Sequence, residues 1–208
     1  MSWLSEKMKR WEESIDRNSA PGKGHGVVAG WDSLTNDGAR LAEWSEGAQE
    51  RLAAAVPDEA ARRRTMVERC CTFVEEFGDE DIRKLRDIYR ETGSVEQVLK
   101  SMRENGSRFG DPFLEGDAIV EIRRPRDPEA FAKARDARER QVAACFCPLI
   151  RETARRIPKD YCYCSAGWYK GIYEGIFGEP VEVTVEESLI SGDERCRFSI
   201  RIPGVIRK

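Results

Sequence analysis

The sequence predicts an α+β fold, in which a helical N-terminal region is followed by a small antiparallel sheet with helices packed on it. In the first half of the chain, apolar residues recur at helical spacing. In the second half, several segments alternate between apolar and polar residues, as strands with one buried face do. We therefore divide the chain into a helical region, residues 1–110, and a cysteine-rich α+β domain, residues 111–208.

The first half is predicted to contain three helices and a linker. Residues 3–17 and 58–77 each place large apolar side chains along one helical stripe, and residues 31–55 are rich in Ala, Glu, Arg and Leu. The glycine-rich segment APGKGHGVVAG between the first two helices predicts a flexible linker. A phosphate-binding loop is disfavoured there because no strand precedes the glycines.

Two shorter helices follow, and signals at their ends support them. DEDIRKLRDIYRETG begins with acidic residues, which suit a helix N-terminus, and ends at Gly93. The next helix has Ser94 at the N-cap and Gln97 three residues later, and it closes at Gly106.

The second half is predicted to form the sheet. DAIVEIRRP, PVEVTVEESLI and ERCRFSIRIP predict three strands, the last two joined by a turn at residues 191–193. PEAFAKARDARERQ fits either a helix or a long charged hairpin connection that leads into QVAACFCPL as a further strand. YCYC is predicted to be extended, and SAGWYKGIYEGIFG to be a helix.

Composition and charge narrow the function classes. The net charge is −3 and the two signs are mixed throughout, which argues against a nucleic-acid binder. The charged N-terminus lacks the apolar core of an export signal, and no apolar run is long enough to span a membrane. We therefore expect a cytoplasmic protein with no membrane partner, whose thiols stay reduced. The single histidine, His25, lies in the glycine-rich segment, a poor scaffold for Ser-His-Asp or Cys-His catalysis.

The cysteines carry the strongest functional signal. Four of the seven form two Cys-x-Cys pairs, and residues two apart on an extended strand point to the same face. We expect five thiols to converge on one site that binds a metal or a small ligand: Cys145, Cys147, Cys162, Cys164 and Cys196. Four thiolates suit the tetrahedral shell of zinc, and an iron–sulfur cluster ranks below it. The alternative is that each cysteine is a small buried hydrophobic side chain.

Cys164 also qualifies as a reactive thiol. It precedes Ser165, a predicted N-cap, and the N–H groups at a helix N-terminus favour a thiolate. With no suitable histidine in the chain, Cys164 as nucleophile and Glu187 as acid/base are the candidate catalytic residues.

The last fifty residues contain a cysteine, a helix rich in glycine and aromatic residues that ends in Phe-Gly-x-Pro-Val, a Glu/Val-rich strand, and Gly-Asp-x-x-Cys-x-Phe. This pattern resembles the 4-vinyl-reductase-like domain family. The positions that carry it are Cys162, Gly167, Gly171, Phe177, Gly178, Pro180, Val181, Glu187, Gly192, Asp193, Cys196 and Phe198. The resemblance implies a pocket between sheet and helices that binds a small, often hydrophobic molecule.

The resemblance also bears on zinc. Sensory domains of phenol-responsive regulators in that family hold a structural zinc through cysteines and a glutamate. By position, Cys162 and Cys196 match two of those cysteines, and the glutamate falls at residues 186–187. Ser188 stands in place of the third cysteine, for which Cys164 or Cys147 would substitute. The C-terminal motif is similar, over a shorter stretch, to thiazoline-carboxylate ring hydrolases.

Three functions follow from these patterns. The first is a cytosolic, sensor-like protein with cysteine-bound zinc, whose small-molecule ligand contacts Trp168 and Tyr169. The second is a hydrolase of a small cyclic amide or thioester-like substrate, and the third is a zinc-stapled protein-interaction module. The N-terminal helices, with their tryptophans, are expected to cover the domain or to pair with a second copy as a homodimer.

Overall fold

The computed structural model describes residues 3–34, 38–68, 79–105, 109–146, 151 and 159–206. These residues form nine α-helices and a four-stranded antiparallel sheet, which confirms the α+β class. The helices are α1 (Trp3–Asn18), α2 (Lys23–Val28), α3 (Gly38–Ala55), α4 (Glu59–Glu68), α5 (Asp79–Thr92), α6 (Val95–Glu104), α7 (Pro128–Lys133), α8 (Ala137–Ala144) and α9 (Tyr163–Phe177). The strands are β1 (Phe113–Glu115), β2 (Ala118–Ile122), β3 (Glu182–Glu187) and β4 (Arg197–Arg201), and short 3₁₀ turns cover Trp31–Ser33, Lys159–Cys162 and Leu189–Ser191. No helix in the described ranges is long and apolar enough to cross a membrane.

The sheet has the order β1-β2-β4-β3. Ile200 on β4 pairs with Ile119 on β2 and with Val183 on β3, so these three side chains share one face. That face packs against α5, α6 and α9 in a core that includes Leu99 and Ile172. The apolar residues that recur at every second position of the predicted strands are therefore the ones that point to this buried face.

A second apolar cluster lies among the N-terminal helices, where Trp11, Ile15, Leu52 and Met66 are buried together. Helix α9 contacts this layer on one side and the sheet core on the other. Gly167 makes the close approach possible, because a Cβ atom there would lie only 2.0 Å from a backbone oxygen of α4.

Several local predictions are confirmed. The hydroxyl of Ser94 accepts a hydrogen bond from the backbone N–H of Gln97 at 3.3 Å and caps α6. Helix α1 and strands β2, β3 and β4 lie where the sequence places them. The predicted end of α6 at Gly106 and the part of the third helix after Glu68 lie outside the described residues.

The glycine-rich segment is not a flexible linker, since it contains α2. The Asp16 carboxylate accepts hydrogen bonds from the backbone N–H groups of Gly22 and Gly24, at 3.0 and 2.7 Å. A Cβ at Gly24 would lie 2.2 Å from the backbone oxygen of Glu12. Gly24 therefore lets α2 pack directly on α1. The run of glycines in the sequence predicts a flexible linker, but this close contact between two helices explains why a glycine is needed at position 24.

The strand predicted over QVAACFCPL is wrong for its described part, where residues 137–144 form α8. Two aspartates decide this, because each caps a helix. Asp127 accepts from the N–H of Ala130 at 2.9 Å and starts α7, and Asp136 accepts from the N–H of Glu139 at 2.8 Å and starts α8. The prediction of an extended YCYC is also wrong, since a 3₁₀ turn leads directly into α9.

Candidate functional site

A pocket of about 420 Å³ opens at one end of the sheet, where β2 and β4 meet the first turn of α9. Four phenylalanine rings contribute to its wall: Phe113, Phe131, Phe146 and Phe198. Its charged lining residues are Asp111, Arg123, Arg124, Glu194 and Arg195. Aromatic walls with a few polar groups are typical of sites for small organic molecules.

Three cysteines line this pocket, and each comes from a different element. Cys145 is the C-cap residue of α8, Cys162 directly precedes α9, and Cys196 directly precedes β4. The backbone oxygen of Cys196 accepts from the N–H of Arg123 at 3.0 Å, which extends the β2–β4 pairing up to the pocket. The structure thus brings together three of the five thiols that the sequence nominates.

Of the other two nominated thiols, one is outside this arrangement and the other is not described. Cys147 lies outside the described residues. Cys164 packs with Met8 and Trp11 in the N-terminal apolar cluster and does not line the pocket. The physical reason is helical geometry, because residues two apart in a helix are turned by about 200° and point to nearly opposite sides. The same-face pair expected from an extended YCYC therefore does not form.

Ser165 is not the N-cap of α9, since the helix begins two residues earlier and the cap position belongs to Cys162. The hydroxyl-bearing side chain of Ser165 instead lines the pocket, within the first turn of α9.

The pocket thiols of Cys162 and Cys196 are held in their neutral form. Burial raises the pKa of both, and for Cys162 the nearby sulfur of Cys196 raises it further. The Sγ atom of Cys162 lies 2.8 Å from Oγ of Ser188, the residue that stands where the resemblance expects a third cysteine. At neutral pH these side chains are therefore polarisable apolar surface and not thiolates.

The carboxylates expected near a zinc ion are already engaged by arginines. Glu187 accepts two hydrogen bonds from Arg195, both at 2.9 Å, and this pairing lowers the pKa of Glu187. Glu186 accepts from Arg197 at 2.5 Å. Neither carboxylate lines the pocket. Over the part of the chain that the structure describes, no group of three or more His, Cys, Asp or Glu side chains is arranged to hold a metal ion. The zinc expectation accordingly stays a prediction from sequence.

Arg123, which sequence reasoning did not single out, occupies the pocket wall between two aromatic rings. Its guanidinium carbon lies 4.6 Å from the ring centre of Phe146 and 5.0 Å from that of Trp168. The side chain is half-buried. Arg123 follows Ile119 and Glu121 at a spacing of two residues, so all three side chains point to the same, inward face of the sheet. Two charged residues on the buried face of a predicted strand are unusual, and this pattern in the sequence could have indicated a functional site.

Glu121 is fully buried on the same face of β2. One carboxylate oxygen accepts from the hydroxyl of Tyr173 at 2.7 Å, and the other has no hydrogen-bond partner among the described residues. Burial raises the pKa of Glu121 to about 7. A carboxyl group in this setting changes its charge close to neutral pH.

The two nominated ligand-binding aromatics stand behind the pocket lining. Tyr169 is buried, and its ring centre lies 4.7 Å from that of Phe198, which does line the pocket. Trp168 is half-buried and stacks against Arg123. Both therefore contact lining residues, and neither lines the pocket itself.

Residues 133–206 match the model of a family described as "Family of unknown function (DUF6144)". The matched stretch includes α8, α9, β3, β4 and the three pocket cysteines, and it excludes β1 and β2. No curated protein and no solved structure matches the chain. The resemblance to 4-vinyl-reductase-like domains stays a prediction.

Proposed function

We propose that this protein binds a small organic molecule in the pocket at the end of its sheet, as a sensor-like ligand-binding protein of the cytosol. The observation that carries the proposal is the pocket itself, which combines four aromatic rings, three thiols and Arg123 at the junction of sheet and helix. Its volume of about 420 Å³ falls within the range of roughly 300–1,000 Å³ that is usual for small-molecule sites.

The state of the side chains favours binding over covalent chemistry. The thiols of Cys162 and Cys196, with their raised pKa values, are poor nucleophiles at neutral pH. Cys164 and Glu187, the candidate catalytic residues, lie outside the pocket lining. No contact in the described part of the chain gives specific support to the hydrolase or to the interaction module.

The proposal is tested by blocking the pocket. Ser165 lines it from the first turn of α9 and is half-buried, so Ser165→Phe places a ring in the ligand's space. Ser33→Phe, at an exposed position of the 3₁₀ turn Trp31–Ser33 and outside the pocket lining, is the matched control. Neutral and anionic compounds of one to three aromatic rings would be screened by thermal unfolding of both variants and the unchanged protein.

Bound compounds are expected to stabilise the unchanged protein and the control, by about 2.7 kcal/mol at a concentration one hundred times the Kd. They should not stabilise Ser165→Phe. The proposal fails if no compound binds, or if the compounds that bind stabilise Ser165→Phe as much as the unchanged protein.

A further inference from the structure

We infer that the pocket selects molecules with a carboxylate on an apolar body, and that Arg123 binds this carboxylate. The inference rests on the proposed function and specifies the chemistry of its ligand. It follows from two features of the described residues of the pocket: the pairing of its charges and the geometry of Arg123.

The other two arginines of the pocket already have carboxylate partners. Arg124 donates to Asp111 through both Nε and Nη2, the former at 3.1 Å. Arg195 likewise forms a bidentate pair with Glu187, to which it donates through Nε and Nη2. Arg123 forms no ion pair with a carboxylate among the described residues, so its charge is the one left available in the pocket wall.

The geometry of Arg123 suits a planar anion. Phe146 and Trp168 lie over the guanidinium at 4.6 and 5.0 Å and hold it by cation–π contacts. The guanidinium presents its N–H groups along the edge of its plane, and one of them hydrogen-bonds to the hydroxyl of Tyr169. A carboxylate matches such an edge with two parallel hydrogen bonds, and the rings restrict the side-chain motion that binding would otherwise have to arrest.

The groups that face Arg123 do not cancel its charge. Glu121 is the nearest acid on its own strand face, but burial leaves that carboxyl only partly ionised at neutral pH. From α9, the hydroxyl of Tyr169 faces the same region, and burial keeps it neutral by raising its pKa. Glu194 lies at the exposed rim of the pocket. Below pH 7, where Glu121 is mostly protonated, the positive charge of Arg123 therefore dominates the inner wall.

The rest of the wall accepts an apolar body. Phe113, Phe131 and Phe198 supply rings, and the cysteine side chains that line the pocket add polarisable surface. An aromatic carboxylate places its ring against these groups and its charged end against Arg123.

The test uses two matched pairs of probes on the full chain: biphenyl-4-carboxylate with biphenyl-4-methanol, and 2-naphthoate with 2-naphthalenemethanol. Affinities would be measured by titration calorimetry at pH 6, below the pKa of about 7 of Glu121, so that this carboxyl is mostly neutral while the carboxylate probes stay ionised. In the unchanged protein, each carboxylate is expected to bind about 10- to 100-fold more tightly than its neutral partner, as a hydrogen-bonded charge pair gives. Arg123→Met keeps the apolar stem and should abolish this preference, whereas Arg123→Lys should retain part of it.

Arg201→Met, which changes an ion-paired arginine of β4 outside the pocket lining, is the control and should keep the preference. Urea unfolding would verify that each variant is folded. If Arg123→Met does not fold, the inference is tested with Arg123→Lys, in which the preference for the carboxylate should be reduced. Equal affinities within both pairs, or a preference that survives in Arg123→Met, overturn the inference while the proposed function stands. Binding that Ser165→Phe leaves unchanged, or no binding of any probe, overturns both.

Discussion

The buried carboxyl of Glu121 makes the stability of the protein depend on pH, and Glu121→Gln should remove that dependence. Ionisation is unfavourable in the folded state because burial raises the pKa from 4.5 to about 7. Below pH 4.5 the group is protonated in both folded and unfolded chains and has no effect. Between pH 4.5 and 7 the unfolded chain releases a proton that the folded chain retains, so the free energy of unfolding falls as the pH rises.

The size of the effect follows from the shift. A change of one pKa unit corresponds to about 1.4 kcal/mol, so a shift from 4.5 to about 7 removes about 3 kcal/mol from the stability by pH 8. Glutamine has nearly the same shape and accepts the hydrogen bond from Tyr173 without ionising. The difference in free energy of unfolding between Glu121→Gln and the unchanged protein should therefore rise by about 3 kcal/mol, in favour of the variant, between pH 4.5 and pH 8. Any effect of the substitution that does not depend on pH shifts the whole profile and leaves this rise unchanged.

The assay is urea unfolding followed by tryptophan fluorescence at half-unit steps from pH 4.5 to 8.5. Glu182→Gln, at an exposed position on β3, is the control and should follow the profile of the unchanged protein. Parallel stability profiles for Glu121→Gln and the unchanged protein would refute the argument that Glu121 is destabilised by ionisation.

Further predictions concern packing, thiols and metal. Tyr173→Phe removes the hydrogen bond to Glu121 and should lower the free energy of unfolding by about 1–3 kcal/mol in urea; an unchanged value would contradict it. Gly167→Ala places a Cβ 2.0 Å from the backbone oxygen of Val67, so thermal unfolding should show a loss of about 1–3 kcal/mol, and an unaltered Tm would argue against close packing of α9 on α4. Iodoacetamide at pH 7.5 should modify Cys162 far more slowly in the folded than in the urea-unfolded protein, since burial raises its pKa; equal rates would be inconsistent with a neutral buried thiol. The zinc prediction requires stoichiometric zinc by elemental analysis of protein purified without chelator, and its absence would eliminate that prediction.

Local signals were sufficient where the structure depends on short-range interactions. The Ser94 cap of α6 depends on residues three positions apart, and the alternation of Val181, Val183 and Val185 identifies β3 by itself. Strand β1 was missed because three residues are too few to show a period. The sequence alone did not distinguish a helix from a hairpin connection over the segment that forms α7 and most of α8, because its apolar residues are sparse. The aspartates that cap the two helices were the sequence signal that indicates where each helix begins.

For the site, the sequence by itself determined that thiols concentrate in the C-terminal third and that a glycine- and aromatic-rich helix lies among them. Only the tertiary structure decided which thiols meet. Cys162 and Cys164 separate because the segment is helical, and Cys145 joins the site because α8 ends beside β2 and β4. The availability of Arg123 likewise depends on which acids its neighbours pair with. Side-chain direction along one element follows from local periodicity, whereas the convergence of several elements and the pairing of charges depend on contacts between residues far apart in the chain.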